Sequence, residues 1–199
     1  MVMDNIYKFN EHITKKDRET LLKQTGSVFW LMGLSGSGKS TIASEVQKIL
    51  HMQGKLVYLL DGDNIRSGIN SDLSFSIEDR IENIRRIAHI AKLMSDMGGI
   101  VLVSFITPLE QMRKIAENIL NETYHLIFID ATLDKCIKRD TKGLYKRAIK
   151  GEIKDFTGIS SPFEEPINYN LRLNTTNTDV IQCTKNLIEY ILKIQQRGS

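Results

Sequence analysis

The 199-residue sequence predicts an α/β domain built on a mainly parallel β-sheet. Short apolar runs, typical of strands buried on both faces, alternate with segments of helical period. The predicted strands are residues 28–32, 56–60, 100–105, 125–129 and 171–173. The predicted helices are residues 40–53, 78–97, 109–121, 132–140 and 178–195. Right-handed crossovers should bring the carboxyl ends of the strands to one edge of the sheet, where ligands bind.

Two segments fall outside this alternation. Residues 1–25 precede the first strand and are predicted to form an N-terminal extension. Residues 141–169 begin with basic side chains and continue through Gly158, Pro162 and Pro166, a composition typical of a flap that covers a site. We call residues 141–169 the lid segment, and we predict that it belongs to a single domain spanning residues 1–199.

The composition argues against several other classes of protein. A formal net charge of +3 does not indicate binding to nucleic acid or to a membrane. Cys136 and Cys183 are far apart in the sequence, which fits a reducing cytoplasm better than a disulfide framework. The polar N-terminus does not resemble a signal peptide, and the apolar run at residues 100–106 is too short to span a membrane. We therefore expect a cytoplasmic protein that binds neither nucleic acid nor membranes.

Residues 33–40 match every position of the phosphate-loop motif G-x-x-x-x-G-K-[ST], between a predicted strand and a predicted helix. In that context, backbone N–H groups close around a phosphate and the helix directs its positive end at the anion. The motif residues are Gly33, Leu34, Ser35, Gly36, Ser37, Gly38, Lys39 and Ser40, followed by Thr41. Lys39 is predicted to reach the β- and γ-phosphates, and the Ser40 hydroxyl to ligate Mg²⁺. The motif predicts a three-layer αβα fold of the P-loop NTPase type that binds a nucleoside triphosphate.

A second polar cluster follows the predicted strand at residues 56–60. Asp61, Asp63 and Arg66 come directly after its carboxyl end, which is where ligands bind in an open α/β sheet. The same residues could instead form a turn and a helix N-cap. Many phosphate-loop proteins end a neighbouring strand in an aspartate that helps to hold Mg²⁺, whereas residues 104–107 here read Ser-Phe-Ile-Thr. Asp61 and Asp63 are therefore the carboxylates best placed to hold a metal or to move a proton.

Three further features permit either ligand binding or a structural role. Arg80 and Asn83 lie three residues apart on a predicted helix and could act on one ligand, although a solvated face is the usual explanation. The basic run beginning at Arg139 could close over transferring phosphates, and Arg139 is predicted to bind ATP. Phe75 and Phe156 lie in polar, loop-like contexts, where their rings suit stacking on a base.

Five blocks of the sequence together resemble the adenylyl-sulfate kinases. They are residues 33–41, 61–66, 75–86, 142–146 and 151–158. The resemblance extends over about residues 10–167. It implies a kinase that uses ATP and Mg²⁺ to phosphorylate the 3′-hydroxyl of adenosine 5′-phosphosulfate, giving 3′-phosphoadenosine 5′-phosphosulfate for sulfate activation. It also implies a homodimer.

The resemblance further implies roles for single residues. Asp63 would orient or deprotonate the attacking 3′-hydroxyl, and Phe75 and Phe156 would enclose the adenine. The phosphosulfate would be held by Arg66, Arg80 and Asn83. The implied catalytic residues are Asp63, Lys39, Asp61 and, as a candidate phosphoenzyme position, Thr107. The implied acceptor-binding residues are Asp63, Asn64, Arg66, Phe75, Arg80, Asn83, Ile106, Thr107, Lys142, Leu144 and Phe156.

Three positions depart from the pattern of the family. Thr141 replaces the proline of the usual Asp-Pro-Lys-Gly, and we expect the resulting loss of rigidity in the lid segment to be minor. Members commonly read Phe-Ile-Ser-Pro at residues 105–108, and in some relatives that serine is described as a phosphoenzyme residue. Thr107 keeps the hydroxyl but adds a methyl group and a stiffer χ1, which favours direct in-line transfer. Glu110 stands where many bacterial members carry an arginine, and it would weaken anion binding if it faced the substrate.

Two other functions stay open at this point. A kinase of the same fold could act on another nucleotide with an anionic 5′ substituent, since Thr107 and Glu110 leave room for a different acceptor. A non-catalytic nucleotide-binding switch would be expected to carry an N-K-x-D-type loop that reads guanine. Residues 174–179 lack the lysine of such a loop. An inactive remnant is disfavoured because the phosphate-loop residues and both aspartates are intact.

Overall fold

The computed structural model describes Tyr7 and residues 11–197. Its elements in chain order are α1 (Lys15–Leu22), β1 (Ser27–Met32), α2 (Lys39–Met52), β2 (Val57–Asp61), α3 (Gly62–Arg66), α4 (Ile77–Asp96), β3 (Ile100–Ser104), α5 (Glu110–Leu120), β4 (Tyr124–Asp130), α6 (Leu133–Arg139), α7 (Leu144–Ile149), β5 (Leu171–Asn174) and α8 (Val180–Arg197). Residues 1–6 and 8–10 of the predicted N-terminal extension lie outside the described residues.

The five described strands form one parallel sheet in the order β2-β3-β1-β4-β5. Alternate residues of the central strand β1 enter the two cores, with Trp30 on one face and Phe29 on the other. Helices α4 and α5 pack on the Trp30 face, whereas α2 and α8 pack on the Phe29 face. The predicted three-layer αβα fold with a parallel sheet is therefore confirmed.

The five predicted strands and five predicted helices are all present, with ends within two residues of the predicted ones. Three short helices, α1, α3 and α7, were not predicted. Helix α1 lies in the N-terminal extension and begins at Thr14, whose hydroxyl accepts a hydrogen bond from the Asp17 N–H while Asp17 caps in return. A capping box of this kind satisfies backbone groups at a helix start, so it stabilises even a helix that buries no residue.

The lid segment is more ordered than a loop-like composition suggests. It contains α7, which buries the side chains of Tyr145 and Ala148. Asp140 holds the first turn of α7, because its two carboxylate oxygens accept hydrogen bonds from the N–H groups of Tyr145 and Lys146 at 3.0 Å each. Among the helices that the structure describes, none is both long and apolar enough to cross a bilayer.

Candidate active site

A cavity of about 670 Å³ opens at the carboxyl edge of the sheet, between the phosphate loop, α3, the start of α4 and the lid segment. Most of the predicted site residues line it, namely Ser35, Gly36, Ser37, Gly38, Lys39, Ser40, Thr41, Asp61, Asp63, Arg66, Phe75, Arg80, Asn83, Ile106, Thr107, Arg139, Lys142, Leu144 and Phe156. Gly33, Leu34 and Asn64 do not line it. Parallel topology brings together predicted residues that are up to 121 positions apart, from Ser35 to Phe156.

The phosphate loop has the backbone conformation that its glycines permit. Gly36 and Gly38 have φ angles of 72° and 103°, in the region that disfavours residues with a Cβ. Gly33 has a φ of 146°, and a Cβ there would lie 2.4 Å from the carbonyl oxygen of Ile129. The Ser37 hydroxyl oxygen is buried and finds no hydrogen-bond partner among the described residues. The loop therefore has the glycine-dependent shape that an anion cradle requires.

Lys39 folds back over the loop that carries it. Its ammonium group donates hydrogen bonds to the carbonyl oxygens of Gly33 at 2.9 Å and Leu34 at 2.7 Å. The side chain is buried, and this burial lowers the pKa of Lys39 to about 8, because a charged ammonium loses hydration. A phosphate beside Lys39 would favour its protonated form.

Oxygen atoms that suit a hard divalent cation converge next to Lys39. The Ser40 hydroxyl donates to the Asp61 carboxylate at 2.6 Å and lies 3.0 Å from the Ser104 hydroxyl. The pairing of β2 with β3 places Asp61 directly opposite Ser104 in the sheet. Hydroxyl and carboxylate oxygens are the donors that Mg²⁺ prefers. Among the described residues, no group of three or more His, Cys, Asp and Glu side chains could hold a metal ion.

The segment after β2 serves both roles that its sequence permits. The Asp61 carboxylate accepts a hydrogen bond from the Asp63 N–H at 3.1 Å and so caps α3, while both aspartates line the cavity. Asp63 itself is exposed, and its carboxylate is ion-paired with the ammonium group of Lys142 from the lid segment. The lid segment therefore brings a cation to the carboxylate predicted to orient the acceptor.

Two arginines hold the loop that carries Phe75. The guanidinium of Arg66 lies 4.4 Å from the centre of the Phe75 ring and donates to the carbonyl oxygen of Ser74 at 2.9 Å. Arg80 donates to the carbonyl oxygen of Phe75 at 2.8 Å and to the Thr157 hydroxyl at 2.9 Å. The Phe75 ring is 61% exposed and lines the cavity. Positive charge and an open aromatic face therefore occur together, and Arg80 links this wall to the lid segment.

Asn83 and Phe156 complete this part of the cavity from different elements. Asn83 is buried on α4, and its side-chain oxygen accepts a hydrogen bond from the Asn70 amide at 2.7 Å. Phe156 comes from the lid segment and stacks edge-on against Tyr145. Asn83 and Phe156 are thus each held by a neighbour outside the predicted set.

Thr107 lines the cavity, but its hydroxyl is engaged with Trp30 in the core. Its hydroxyl is buried and accepts a hydrogen bond from the indole N–H of Trp30 at 2.8 Å. Its φ of 44° is unusual for a β-branched residue, so the surrounding contacts must hold the strained backbone in place. The buried guanidinium of Arg113 contributes by donating to the Thr107 carbonyl oxygen at 3.3 Å.

Glu110 does not line the cavity. Its carboxylate is paired with the Arg113 guanidinium at 2.8 Å, and its N–H donates to the Glu164 carboxylate at 2.6 Å. Arg113 also donates to the Glu164 carbonyl oxygen at 2.9 Å, which ties the end of the lid segment to the loop before α5. The acidic side chain of Glu110 therefore neutralises a buried arginine instead of facing an anionic ligand.

Comparison with known protein families gives a match that includes these motifs. The sequence model of the family "Adenylylsulphate kinase" matches residues 25–174, from just before β1 to the end of β5. The chain belongs to the adenylyl-sulfate kinase family. An adenylyl-sulfate kinase of Phocaeicola vulgatus is 50% identical over 196 residues, which cover 98% of this chain and 96% of that protein.

Solved structures of the adenylyl-sulfate kinase family share this fold. The Mycobacterium tuberculosis APS kinase, in complex with AMPPNP and APS, is 42% identical with a TM-score of 0.81. The similarity covers 85% of this chain and 98% of that one. A hexameric APS kinase from Thiobacillus denitrificans is 25% identical with a TM-score of 0.64, covering 86% of this chain and 29% of that one.

In this member of the adenylyl-sulfate kinase family, Arg139 was predicted to lie at the candidate site, whereas Thr175, Tyr145 and Thr157 were not. Arg139 donates to the phosphate-loop carbonyl of Gly36 at 3.1 Å and to the carbonyl of Thr175 at 2.6 Å. Thr175 directly follows the carboxyl end of β5, so its position in the sequence could have predicted that it lies at the ligand-binding edge of the sheet. Tyr145 and Thr157 line the cavity from the lid segment, and their place in the blocks at residues 142–146 and 151–158 was the one signal that pointed to them.

Proposed function

We propose that this protein transfers the γ-phosphoryl group of MgATP to the 3′-hydroxyl of adenosine 5′-phosphosulfate, releasing ADP and 3′-phosphoadenosine 5′-phosphosulfate. The observation that carries the proposal is one cavity with two chemically different ends. One end is the phosphate loop. The other presents two guanidinium groups, the Phe75 ring and the Asp63 carboxylate, which suit a purine nucleotide with an anionic 5′ tail.

The donor end would bind the triphosphate through the phosphate loop. Its backbone N–H groups and the start of α2 would surround the phosphates, and the Lys39 ammonium would exchange its two carbonyl partners for phosphate oxygens. Ser40 and Asp61 would hold Mg²⁺, which when bound supplies charge neutralisation for the phosphates. Arg139 would support the nucleotide by holding the loop and Thr175 together.

At the acceptor end, the Asp63 carboxylate would accept a hydrogen bond from the 3′-hydroxyl and aim its oxygen at the γ-phosphorus. A free aspartate has a pKa of about 3.9, so it is a weak base at neutral pH. Phosphoryl transfer through a loose transition state asks little of the base, so orientation suffices. Lys142, already paired with Asp63, would place positive charge beside the moving phosphoryl group.

The arginines and aromatic rings would select the acceptor. The Arg66 and Arg80 guanidinium groups would attract the phosphosulfate with donors left over from their backbone contacts. Phe75 and Phe156 would enclose the adenine, and the backbone at Ile106 and Thr107 would contact the same base. Asn83 and Leu144 would complete the acceptor wall, whereas Asn64, which does not line the cavity, would act only through its neighbours in α3.

Direct in-line transfer is the mechanism we propose, without a phosphoenzyme at Thr107. The Thr107 hydroxyl is buried and committed to the Trp30 indole. To act as a nucleophile it would have to break this contact and turn into the cavity. The strained backbone at this position supports a role in presenting peptide groups to the acceptor.

An acceptor panel tests the proposal. Purified protein and MgATP are incubated with adenosine 5′-phosphosulfate, AMP, ADP or CMP, and the consumption of ATP is measured. We expect turnover with the phosphosulfate and at most a few per cent of that rate with the others. Turnover with a different nucleotide alone would identify the rival kinase, and nucleotide binding without any turnover would identify the switch.

We also propose that residues 1–199 form one kinase domain, closed by its lid segment, that works as a homodimer in the cytoplasm. The edge strand β2 supports self-association, since Leu56 just before it and Tyr58 within it are 43% and 55% exposed. Light scattering after gel filtration measures the oligomer. A mass of twice the 22.7 kDa chain supports the proposal, whereas a monomer or a hexamer contradicts it.

A further inference from the structure

The lid segment and the phosphate loop share a small hydrophobic cluster of their own. Its buried members are Leu34, Ala131, Cys136 and Tyr145, and Phe156 and Phe163 pack against it. Gly158 comes so close to the loop that a Cβ there would lie 3.1 Å from a methyl group of Leu34. The wall of the acceptor site that carries Phe156 is therefore packed directly on the loop that would bind the phosphate donor.

Tyr145 makes a specific contact with each side of this cluster. Its hydroxyl donates to the carbonyl oxygen of Ser35, in the phosphate loop, at 2.9 Å. Its ring meets the Phe156 ring edge-on, with centroids 5.0 Å apart and planes at 79°. The side chain is 1% exposed, and burial raises the pKa of its hydroxyl, so the phenol stays protonated and donates throughout the physiological range.

The position of the Tyr145 backbone is fixed as well. Tyr145 lies in the first turn of α7, and its N–H donates to the Asp140 carboxylate at 3.0 Å. Asp140 directly follows α6, which carries Arg139 and through it the contacts to Gly36 and Ser37. A change in the phosphate loop thus has a short, rigid path to the Tyr145 ring.

We propose that Tyr145 is a positioning residue that couples the donor loop to the acceptor site. When phosphates order the Ser35 peptide, the Tyr145 hydroxyl is held in place, and its ring holds Phe156 in the orientation that stacks on the acceptor base. Linkage makes the effect reciprocal, so each nucleotide tightens the binding of the other by one common factor. This inference rests on the proposed function, since it takes adenosine 5′-phosphosulfate as the acceptor.

The test measures that common factor directly. Isothermal titration gives the Kd of adenosine 5′-phosphosulfate with and without saturating MgADP, a pair that cannot react. We expect MgADP to tighten acceptor binding at least about fivefold in the wild type, a typical coupling between sites. Tyr145→Phe removes only the hydroxyl and should reduce the factor to below about twofold, while the Kd of MgADP alone changes less than about threefold.

Tyr124→Phe is a matched control. Its hydroxyl is also buried, yet it finds no partner in the part of the chain that the structure describes, and it lies at the amino end of β4, away from the cavity. This variant should keep the wild-type coupling factor. An unchanged factor in Tyr145→Phe, or an equal loss in Tyr124→Phe, would overturn the proposal.

A second variant keeps the test decisive if Tyr145→Phe is poorly folded. Phe156→Leu removes the ring that Tyr145 contacts and should also lower the coupling factor, with no further loss in the double variant. If the two variants lower the coupling factor independently, so that their losses multiply in the double variant, a shared path is contradicted.

Titration of the wild type separates this inference from the proposed function. If the wild type does not bind adenosine 5′-phosphosulfate, the proposed function is contradicted, but coupling through Tyr145 is not. The same titrations are then run with whichever acceptor the panel finds.

Discussion

The ammonium group of Lys142 in the lid segment is ion-paired with the carboxylate of Asp63 at the start of α3, 79 positions earlier in the chain. The side chains are 60% and 72% exposed, so their pairing contributes little to the stability of the fold. The pairing instead affects the charge distribution inside the cavity. In the proposed reaction, the pair would place a positive charge where the acceptor hydroxyl meets the transferred phosphoryl group.

We predict that Lys142→Met impairs catalysis without affecting stability. The free energy of unfolding should stay within about 0.5 kcal/mol of the wild type, as for other exposed pairs. The kcat/KM for the phosphosulfate should fall at least about tenfold, since a cation beside the transferred group is lost. Denaturant titration and steady-state ADP release measure the two quantities. Lys150→Met is the control, because Lys150 is exposed on the same segment but does not line the cavity. Equal losses in the two variants would contradict a specific role for Lys142.

We predict that MgADP binding takes up a proton at alkaline pH. The free protein holds Lys39 with a pKa of about 8, below its usual value, and phosphate oxygens would restore the protonated form. Lys39 is mostly charged below that pKa and mostly neutral above it. Affinity should therefore fall as pH rises through about 8, and proton uptake on binding should be larger at pH 8.5 than at pH 7.0.

Calorimetry in two buffers of different ionisation enthalpy measures this uptake. Lys39→Met should abolish the difference between the buffers and weaken MgADP binding at both pH values. An uptake near zero in the wild type at pH 8.5 would show that Lys39 is fully charged before the nucleotide binds.

We predict that Thr107→Val destabilises the protein but leaves phosphoryl transfer intact. Valine keeps the shape of threonine and its strained backbone, while the buried Trp30 indole N–H loses its acceptor. The free energy of unfolding should fall by about 1–3 kcal/mol, the usual effect of an unsatisfied buried donor. The single-turnover rate at saturating substrates should stay within about threefold of the wild type, since the hydroxyl takes no part in the chemistry.

Thr107→Ser provides the matched control. It retains the hydroxyl that accepts the Trp30 hydrogen bond, so both stability and rate should stay close to the wild type. An inactive Thr107→Val beside an active Thr107→Ser would instead point to a phosphoenzyme.

The fold was largely predictable because its strands are buried on both faces. Nearly continuous apolar runs such as residues 100–104 are typical of strands that are buried on both faces, and their alternation with helices permits a parallel sheet. The missed helices have weaker signals. Helix α1 buries no side chain, and α7 is six residues long, with two buried side chains among charged neighbours. The Thr14 capping box was a readable signal for α1.

The site was predictable where its residues follow strand ends. The phosphate loop and the segment beginning at Asp61 could be located from local patterns alone. Tyr145 and Arg113 could not, because their importance comes from contacts with segments distant in sequence, such as Ser35 and Glu164. The direction of the Thr107 side chain likewise depends on Trp30, which is 77 residues away.

The most direct test of the account is the chemical identity of the product. The protein is incubated with MgATP and adenosine 5′-phosphosulfate, beside an Asp63→Asn variant, and the phosphorus nuclei are followed by NMR. We predict one new phosphomonoester at the 3′ position for each ADP formed, at a rate at least about tenfold lower in Asp63→Asn, whose amide lacks the charge that would hold the 3′-hydroxyl and pair with Lys142. Phosphate at another position, inorganic phosphate in its place, or a wild-type rate in the variant would contradict it.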